Sequence, residues 1–467
     1  MEDRKKYIKV IILGAGGRDF FNLNHYKQYP FYKVVAFIVT QIPGIDCRIF
    51  PARLAGAYYP EGIRIYPLDK LEELINKEQE KSDTAEIVVE LAYSDISDTE
   101  ILVMKNRVES CGATFKSPAE EDYKRIMLES SCPVIAITAV RTGCGKSPVT
   151  IVVAQYLRRK GFEPVVIRHP MPYFDLNDPT NDVQRFASYD DLEKYKCTFE
   201  EREEYEPLVK AGFVVYAGVD YEKILKTAEC ESNVIIWDGG NNDLPFFKPD
   251  LWITVTDPHR VGDEISYPHG FWNLKNADVV LVNKTGSADQ RDVICLLENI
   301  NKNKKSRDVL IAETDMKITV KNQEFLKDKH IIAIEDGPTV THGGMSYGAA
   351  VLAAEKYGAI LADPRPYLDE PLRKVFDNYP HLWNTKILPC IGYGQDEVEA
   401  LQRTIRVTPA DAVLYSSPID LGKKIKSIIP FIQVKYELVF DCEFGETLFK
   451  TKVLDKTNEI ITKYRCA

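Results

Sequence analysis

The sequence predicts an α/β protein in three parts: an N-terminal Rossmann-like domain, a central P-loop NTPase domain with a mostly parallel sheet, and a smaller C-terminal α/β domain. Three observations carry this. Short apolar runs alternate with segments of helical period through most of the chain, the pattern of parallel strands joined by helices. Two glycine turns, GAGG at 14–17 and VRTGCGKS at 140–147, each follow such a run and lead into a helical segment, as phosphate-binding turns do. The length of 467 residues is more than one hydrophobic core usually serves.

In the first unit, 1–130, a strand at 7–13 enters the GAGG turn, and further apolar runs follow at 33–39 and 85–91. The polar stretch 117–131 is the handover to the second unit, 131–345. That unit opens with a strand at 133–140, the glycine loop, and a helix at 147–160 closed by Gly161. Strand runs recur at 163–168, 233–238, 251–256, 278–283, 308–312 and 330–334. The third unit, 346–467, begins with a helical Gly/Ala-rich segment and continues in strand–helix patterns at 412–416, 431–440 and 453–464.

Composition excludes several functions. With 45% apolar and 28% charged residues the chain reads as an ordinary globular protein. A net charge of −10 argues against nucleic acid as a partner, because phosphate backbones are held by clustered Lys and Arg. The ten cysteines are scattered without a CxxC pair, which points to a reducing compartment and away from disulfides or zinc. No leader is expected at a terminus that enters a strand pattern at once, and no run reaches the roughly 20 apolar residues of a membrane span. A cytoplasmic protein without a membrane partner is expected.

VRTGCGKS fits the Walker A pattern except at its first position, where Val140 replaces glycine. The pattern works by curling backbone N–H groups around phosphates, which needs small residues such as Gly143 and Gly145. Arg141, Thr142 and Cys144 complete the loop, Lys146 reaches the β- and γ-phosphates, and the Ser147 hydroxyl is the expected Mg²⁺ ligand. Pro148 sits in the first helical turn, where its missing N–H costs nothing. Arg141 resembles the signature lysine with which one branch of P-loop proteins reaches a neighbouring subunit's nucleotide, so a homo-oligomer is expected.

The partner carboxylate should end a buried strand. Asp238 does so, followed by Gly239 and Gly240, whose backbone can approach the γ-phosphate, and by Asp243 as a second metal-shell or water-positioning group. Asn283 and Lys284 follow another strand where guanine-specific relatives carry Asn-Lys-x-Asp, but Gly286 replaces the carboxylate that would pair with guanine. ATP is therefore favoured over GTP. Loops at the carboxyl ends of parallel strands are where ligands bind. Arg168, His169 and Arg260 stand there, as do Thr341, His342 and Gly343, and they are the candidate acceptor pocket. Gly16, Gly17 and Arg18 of the first turn are a weaker candidate for an anion. Asp19 replaces the third glycine of GxGxxG there, and no acidic residue ends the second strand, which argues against NAD.

Taken together, GAGGRDF at 14–20, TQIPGI at 40–45, AVRTGCGKS at 139–147, RHPMPY at 168–173, WDGGNND at 237–243 and EDGPTVTHGGM at 335–345 resemble the archaeal and bacterial "predicted GTPase" group. That group is similar to cyclic 2,3-diphosphoglycerate synthetase. The resemblance implies the same three-part layout and an enzyme that uses ATP to join two phosphates into an internal anhydride. The expectation is an ATP- and Mg²⁺-dependent ligase or kinase acting on a small phosphorylated acid. The alternative is a GTPase or ATPase switch, or a metallochaperone-like NTPase.

Overall fold

The computed structural model describes residues 6–40, 48–117, 119–169, 171, 173–390 and 395–466. Positions 41–45 of TQIPGI and the prolines at 170 and 172 of RHPMPY lie outside the described residues. The first sheet contains β1 (Tyr7–Leu13), β2 (Tyr32–Val39), β3 (Ile49–Phe50), β4 (Ile63–Pro67), β5 (Thr84–Leu91) and β6 (Thr114–Lys116), in the order β3-β4-β2-β1-β5-β6. Every pairing except β3–β4 is parallel. The central β1 is apolar over Val10–Leu13 because helices and loops cover both of its faces.

Among the described residues the second sheet has 13 strands. In chain order they are β7 (Val134–Ala139), β8 (Pro164–Arg168), β9 (Val183–Phe186), β10 (Val215–Gly218), β11 (Val234–Asp238), β12 (Leu251–Thr256), β13 (Val279–Val282) and β14 (Leu310–Val320). Then follow β15 (His330–Asp336), β16 (Ile360–Leu361), β17 (Ile387–Cys390), β18 (Ala412–Tyr415) and β19 (Phe431–Phe440). The path runs β16-β15-β18-β19-β14-β13-β12-β7-β11-β8-β10-β9, with β17 beside β15. Among the described residues, only β9–β10 and β14–β19 are antiparallel in this sheet. The chain is therefore a mixed α/β protein with two sheets rich in parallel strands.

Most runs read as strands are strands, with ends shifted by one or two residues. Three findings differ. β14 continues eight residues past 312, because its second half finds a new partner in β19. The segment 453–464 is the interior of one helix, Glu443–Cys466, whose Phe449 and Val453 pack into the P-loop core. β15, read with the P-loop unit, pairs with β16, β17 and β18 and packs in a core running from Leu326 to Val434.

The N-terminal unit grips the P-loop unit through an aromatic contact. Arg18, on the helix Gly17–Lys27, lies over the rings of Phe246 and Tyr123 at 4.3 and 4.9 Å. Tyr123 meets His269 edge-on at 4.8 Å, and His269 lies 5.0 Å from Trp272. Burial, with the Arg18 charge nearby, lowers the His269 imidazole to about 3 from an ordinary 6.5. Unfolding lets this ring take up a proton that the native state refuses. Its contribution to stability is therefore present above pH 6.5 and is lost as pH falls toward about 3. A His269→Gln variant should show a flatter decline in denaturation midpoint across that window than the parent chain, and parallel declines would refute this.

Candidate functional site

The P-loop spans the short distance from β7 to the helix Lys146–Arg159. β7 is central and buried along its whole length, so the loop leaves a rigid strand end. Gly143 and Gly145 adopt φ of +80° and +103°, which side-chain-bearing residues rarely tolerate. A methyl on Gly143 would press on Thr339 at 3.2 Å, so the 335–345 segment lies directly against the loop.

Side chains from around the loop fasten it. Asn283 donates to the Cys144 carbonyl at 2.8 Å and accepts from the Thr314 hydroxyl at 3.1 Å. Lys284, itself left-handed at φ +61°, donates to the Gly143 carbonyl and to Asp257, each at 2.7 Å. Burial would raise Asp257, but Lys284, His259 and Arg260 together hold it well below the usual carboxylate range. The side chains of Asn283 and Lys284 thus hold the phosphate loop in shape. Arg260 bridges the Gly343 carbonyl at 2.9 Å, Asp257 at 3.1 Å and the Cys144 sulfur at 3.4 Å.

Arg141 donates to Asp95 at 2.6 Å, pairs with Asp263, and lies 3.8 Å over the Tyr267 ring. The guanidinium expected to reach another subunit is engaged within its own chain. Asp95, on the loop after β5, also accepts from the Thr142 amide at 3.4 Å, so the N-terminal unit touches the P-loop backbone. Lys146 donates to the Asn241 carbonyl at 2.5 Å, and Thr142 donates to the Asn241 side chain at 2.7 Å. Burial lowers the Lys146 ammonium, against the attraction of nearby Asp238.

Asp238 ends β11 fully buried and forms an ion pair with Arg168 at the end of the neighbouring β8. Arg168 also pairs with Glu204 of the helix Phe199–Lys210. His169 rests against Gly240, where a methyl would meet its ring at 2.5 Å. Burial, with Arg168 and Lys146 beside it, holds His169 well below its ordinary value, so the ring is neutral. Burial likewise lowers His342, and raises Asp243 against Arg18 and Ser94.

A cavity of about 1270 Å³ opens in front of Lys146, walled by all three parts of the chain. Gly16, Gly17 and Arg18 line it, with Thr142, Gly143, Gly145 and Ser147 of the P-loop. So do Arg168, His169, Gly239, Gly240, Asp243, Lys284 and His342. Arg141, Cys144, Asp238, Asn283 and Arg260 stand behind that lining, as do Thr341 and Gly343. Thr341 is turned inward, donating to the Gly337 carbonyl at 2.8 Å.

The first glycine turn is filled from within. The Gly16 amide donates to Asp19 at 2.8 Å, and a methyl on Gly14 would collide with that same carboxylate. Burial raises Asp19 to about 7. Arg18 reaches the carbonyls of Leu244 and Pro245, propping the loop that follows Asp238.

Four features escaped sequence reasoning. Asp95 follows a predicted strand and could have been found by the strand-end rule. Asn241 lies inside the motif WDGGNND already singled out. Asp315 of β14 stands where a side chain on Gly286 would be, which places a carboxylate beside the Asn283-Lys284 turn. The acidic helix Phe199–Lys210 reads as a solvated charge run, yet Glu200, Glu203 and Glu204 line the cavity.

Among curated proteins, arginine synthetase ArcE of Thermococcus kodakarensis is 48% identical over 436 residues, 93% of this chain and 94% of that protein. The chain belongs to the ArcE family. No family model matches the chain. Among solved structures, "apo" LpxK from Aquifex aeolicus in complex with ATP overlaps 77% of this chain and 97% of its own, at 14% identity and a TM-score of 0.41. No described helix of this ArcE-family chain is long and apolar enough to cross a membrane.

Lys146→Ala should lower nucleotide turnover roughly a hundredfold or more, because a fixed charge at the γ-phosphate acts mainly in the transition state. Its melting temperature should stay close to the parent's, and normal turnover would refute the assignment. Asn283→Ala leaves the buried Cys144 carbonyl without its donor, a loss of about 1–3 kcal/mol. It should lower both thermal stability and nucleotide affinity, whereas a residue that touched only the base would alter affinity alone.

Proposed function

We propose that the chain is an ATP-dependent, ADP-forming ligase whose product is arginine or a close guanidino relative. One observation carries the choice of acceptor. The groups expected to receive a polyanion are already neutralised: Arg168 by Asp238 and Glu204, Arg260 by Asp257, and His169 and His342 by burial. Strand-end cations compensated in this way, beside the acidic side chains of the helix Phe199–Lys210, suit an uncharged or cationic acceptor better than a bisphosphate. The 48% identity to a protein named arginine synthetase supports the same reading.

The chemistry follows from what the loop does to a triphosphate. The P-loop amides and Lys146 hold the phosphates, with the helix Lys146–Arg159 directing its positive end toward them. Ser147 and, through water, Asp238 would hold Mg²⁺, which would screen the β- and γ-phosphate charge. The Asp238 oxygens fit that role, being buried and without a hydrogen bond among the described residues beyond the Arg168 ion pair.

Arginine differs from its ureido counterpart by nitrogen in place of oxygen, and that oxygen is a poor leaving group. Transfer of the γ-phosphoryl group to the ureido oxygen breaks the bond to ADP and makes the oxygen displaceable. Ammonia then forms the new C–N bond as phosphate leaves with the oxygen. Water must be kept out while the activated carbon waits, which a site enclosed by three units favours. ATP remains the assigned nucleotide. Asp315, beside Gly286, offers an acceptor to the adenine amine as well as to guanine.

The family resemblance supports a second reading, formation of a phosphoanhydride on a bisphosphorylated acid. The test runs ATP and Mg²⁺ with citrulline and ammonium in one arm and 2,3-bisphosphoglycerate in another, followed by ³¹P signals and amino-acid analysis. Arginine formed in step with ADP and phosphate is the expected result. A new anhydride resonance in the bisphosphate arm, or hydrolysis indifferent to either acceptor, would overturn the proposal.

A further inference from the structure

One carboxylate in the cavity has no task in nucleotide handling. The helix Phe199–Lys210 is started by a capping box: Thr198 accepts from the Glu201 amide at 3.2 Å, and the Glu201 carboxylate accepts from the Thr198 amide at 2.8 Å. This anchors a helix whose acidic residues Glu200, Glu203 and Glu204 line the cavity. Glu204 faces back to Arg168 and so to the Asp238 side of the site. Glu203 crosses to the C-terminal part instead, where Oε1 accepts from the Ser417 hydroxyl at 2.6 Å, just past the end of β18.

The other oxygen of Glu203 is the unexplained group. The residue is only 6% exposed, and Oε2 is buried with no N–H or O–H donor among the described residues, the weakly donating Cys390 thiol lying beside the carboxyl. A buried carboxylate oxygen without a donor is costly, and proteins keep few such groups unless a ligand completes them. Two neighbouring acids of the C-terminal part differ from it. Glu335 is occupied by the Ala350 and Val351 amides and the Ser416 hydroxyl, and Asp336 by Thr339.

Resting on the ligase reading above, we propose that Glu203 is the specificity-determining residue of the acceptor site, receiving N–H groups of the ureido substrate and of the guanidinium product. A guanidinium presents paired N–H donors that match a carboxylate edge, whereas a phosphorylated acid presents only oxygens. Burial, with Asp336 and Glu200 nearby, holds the Glu203 carboxyl well above its usual value against the Ser417 hydroxyl. The titratable groups that face it are Asp336, Glu200, Cys390 and Tyr436. A guanidinium arriving there favours the charged carboxylate, so binding should release a proton.

The experiment compares the full-length chain with Glu203→Gln and Glu203→Asp. Gln keeps the shape and the contact with Ser417 but lacks the charge, and Asp keeps the charge with a shorter reach. The expected result is a rise of roughly ten- to a hundredfold in the KM for citrulline and in the Kd for arginine with Gln. A smaller rise is expected with Asp, and ATP affinity should be unchanged in both. Calorimetry in two buffers of different ionisation enthalpy should show proton release on arginine binding by the parent and none with Gln. If the parent forms arginine while Glu203→Gln keeps its KM and proton release, this inference falls and the ligase reading stands. If the parent neither forms nor binds arginine, both fall.

Discussion

β14 is paired along Leu310–Glu313 with β13 in parallel and along Thr314–Val320 with β19 antiparallel. One strand therefore belongs to two cores. The P-loop core lies around β7, β12 and β13, the C-terminal core around β15 and β18, and neither can rotate without breaking hydrogen bonds in β14. The strand ends of both halves consequently face a common space. Lys146 on one side and Ser417 on the other line it because the backbone of β14 leaves the two units no other arrangement.

Within that space, compensation of charge governs what can bind. Lowered polarity around buried groups makes an unpaired charge expensive, so Arg168 in the lining and Arg141 and Arg260 behind it each bring a carboxylate, while Arg18 is held by carbonyls and rings. Arg141 has Asp95 and Asp263, Arg168 has Asp238 and Glu204, and Arg260 has Asp257. These pairs hold the loops in place and leave Arg141, Arg168 and Arg260 little charge for a second polyanion, although Lys210, Lys317, Lys356 and Lys435 also line the cavity. What remains toward the phosphates is a ring of backbone amides and one lysine, suited to a triphosphate chain. The acidic helix Phe199–Lys210 gives the opposite wall its different chemistry.

The N-terminal unit has a supporting part in this arrangement. Its glycine turn is occupied by its own Asp19, and Arg18 is held by carbonyls and aromatic rings of the loop after Asp238. Asp95 reaches both Arg141 and the Thr142 amide. A turn that reads in sequence as a weaker candidate for an anion thus braces the P-loop, with its own Asp19 accepting from the Gly16 amide.

What the sequence determined by itself was the local order: the run of parallel strands, the P-loop between β7 and its helix, and the strand-end positions of Asp238, Arg168 and Asn283. These are readable because strand burial leaves an apolar run and because a loop curled around phosphates must have glycine at left-handed positions such as 143 and 145. Only the tertiary structure decided how those residues are used. Asn283 and Lys284 became struts because the loop carbonyls they meet come from 139 and 141 residues away. Asp315 reached the place left by Gly286 across neighbouring strands, and Glu203 entered the cavity through a helix that composition alone would put in water. The physical reason is common to all of them. A side chain's partner across a sheet or between cores is set by which elements pack together, and that packing leaves no periodicity in the chain to read.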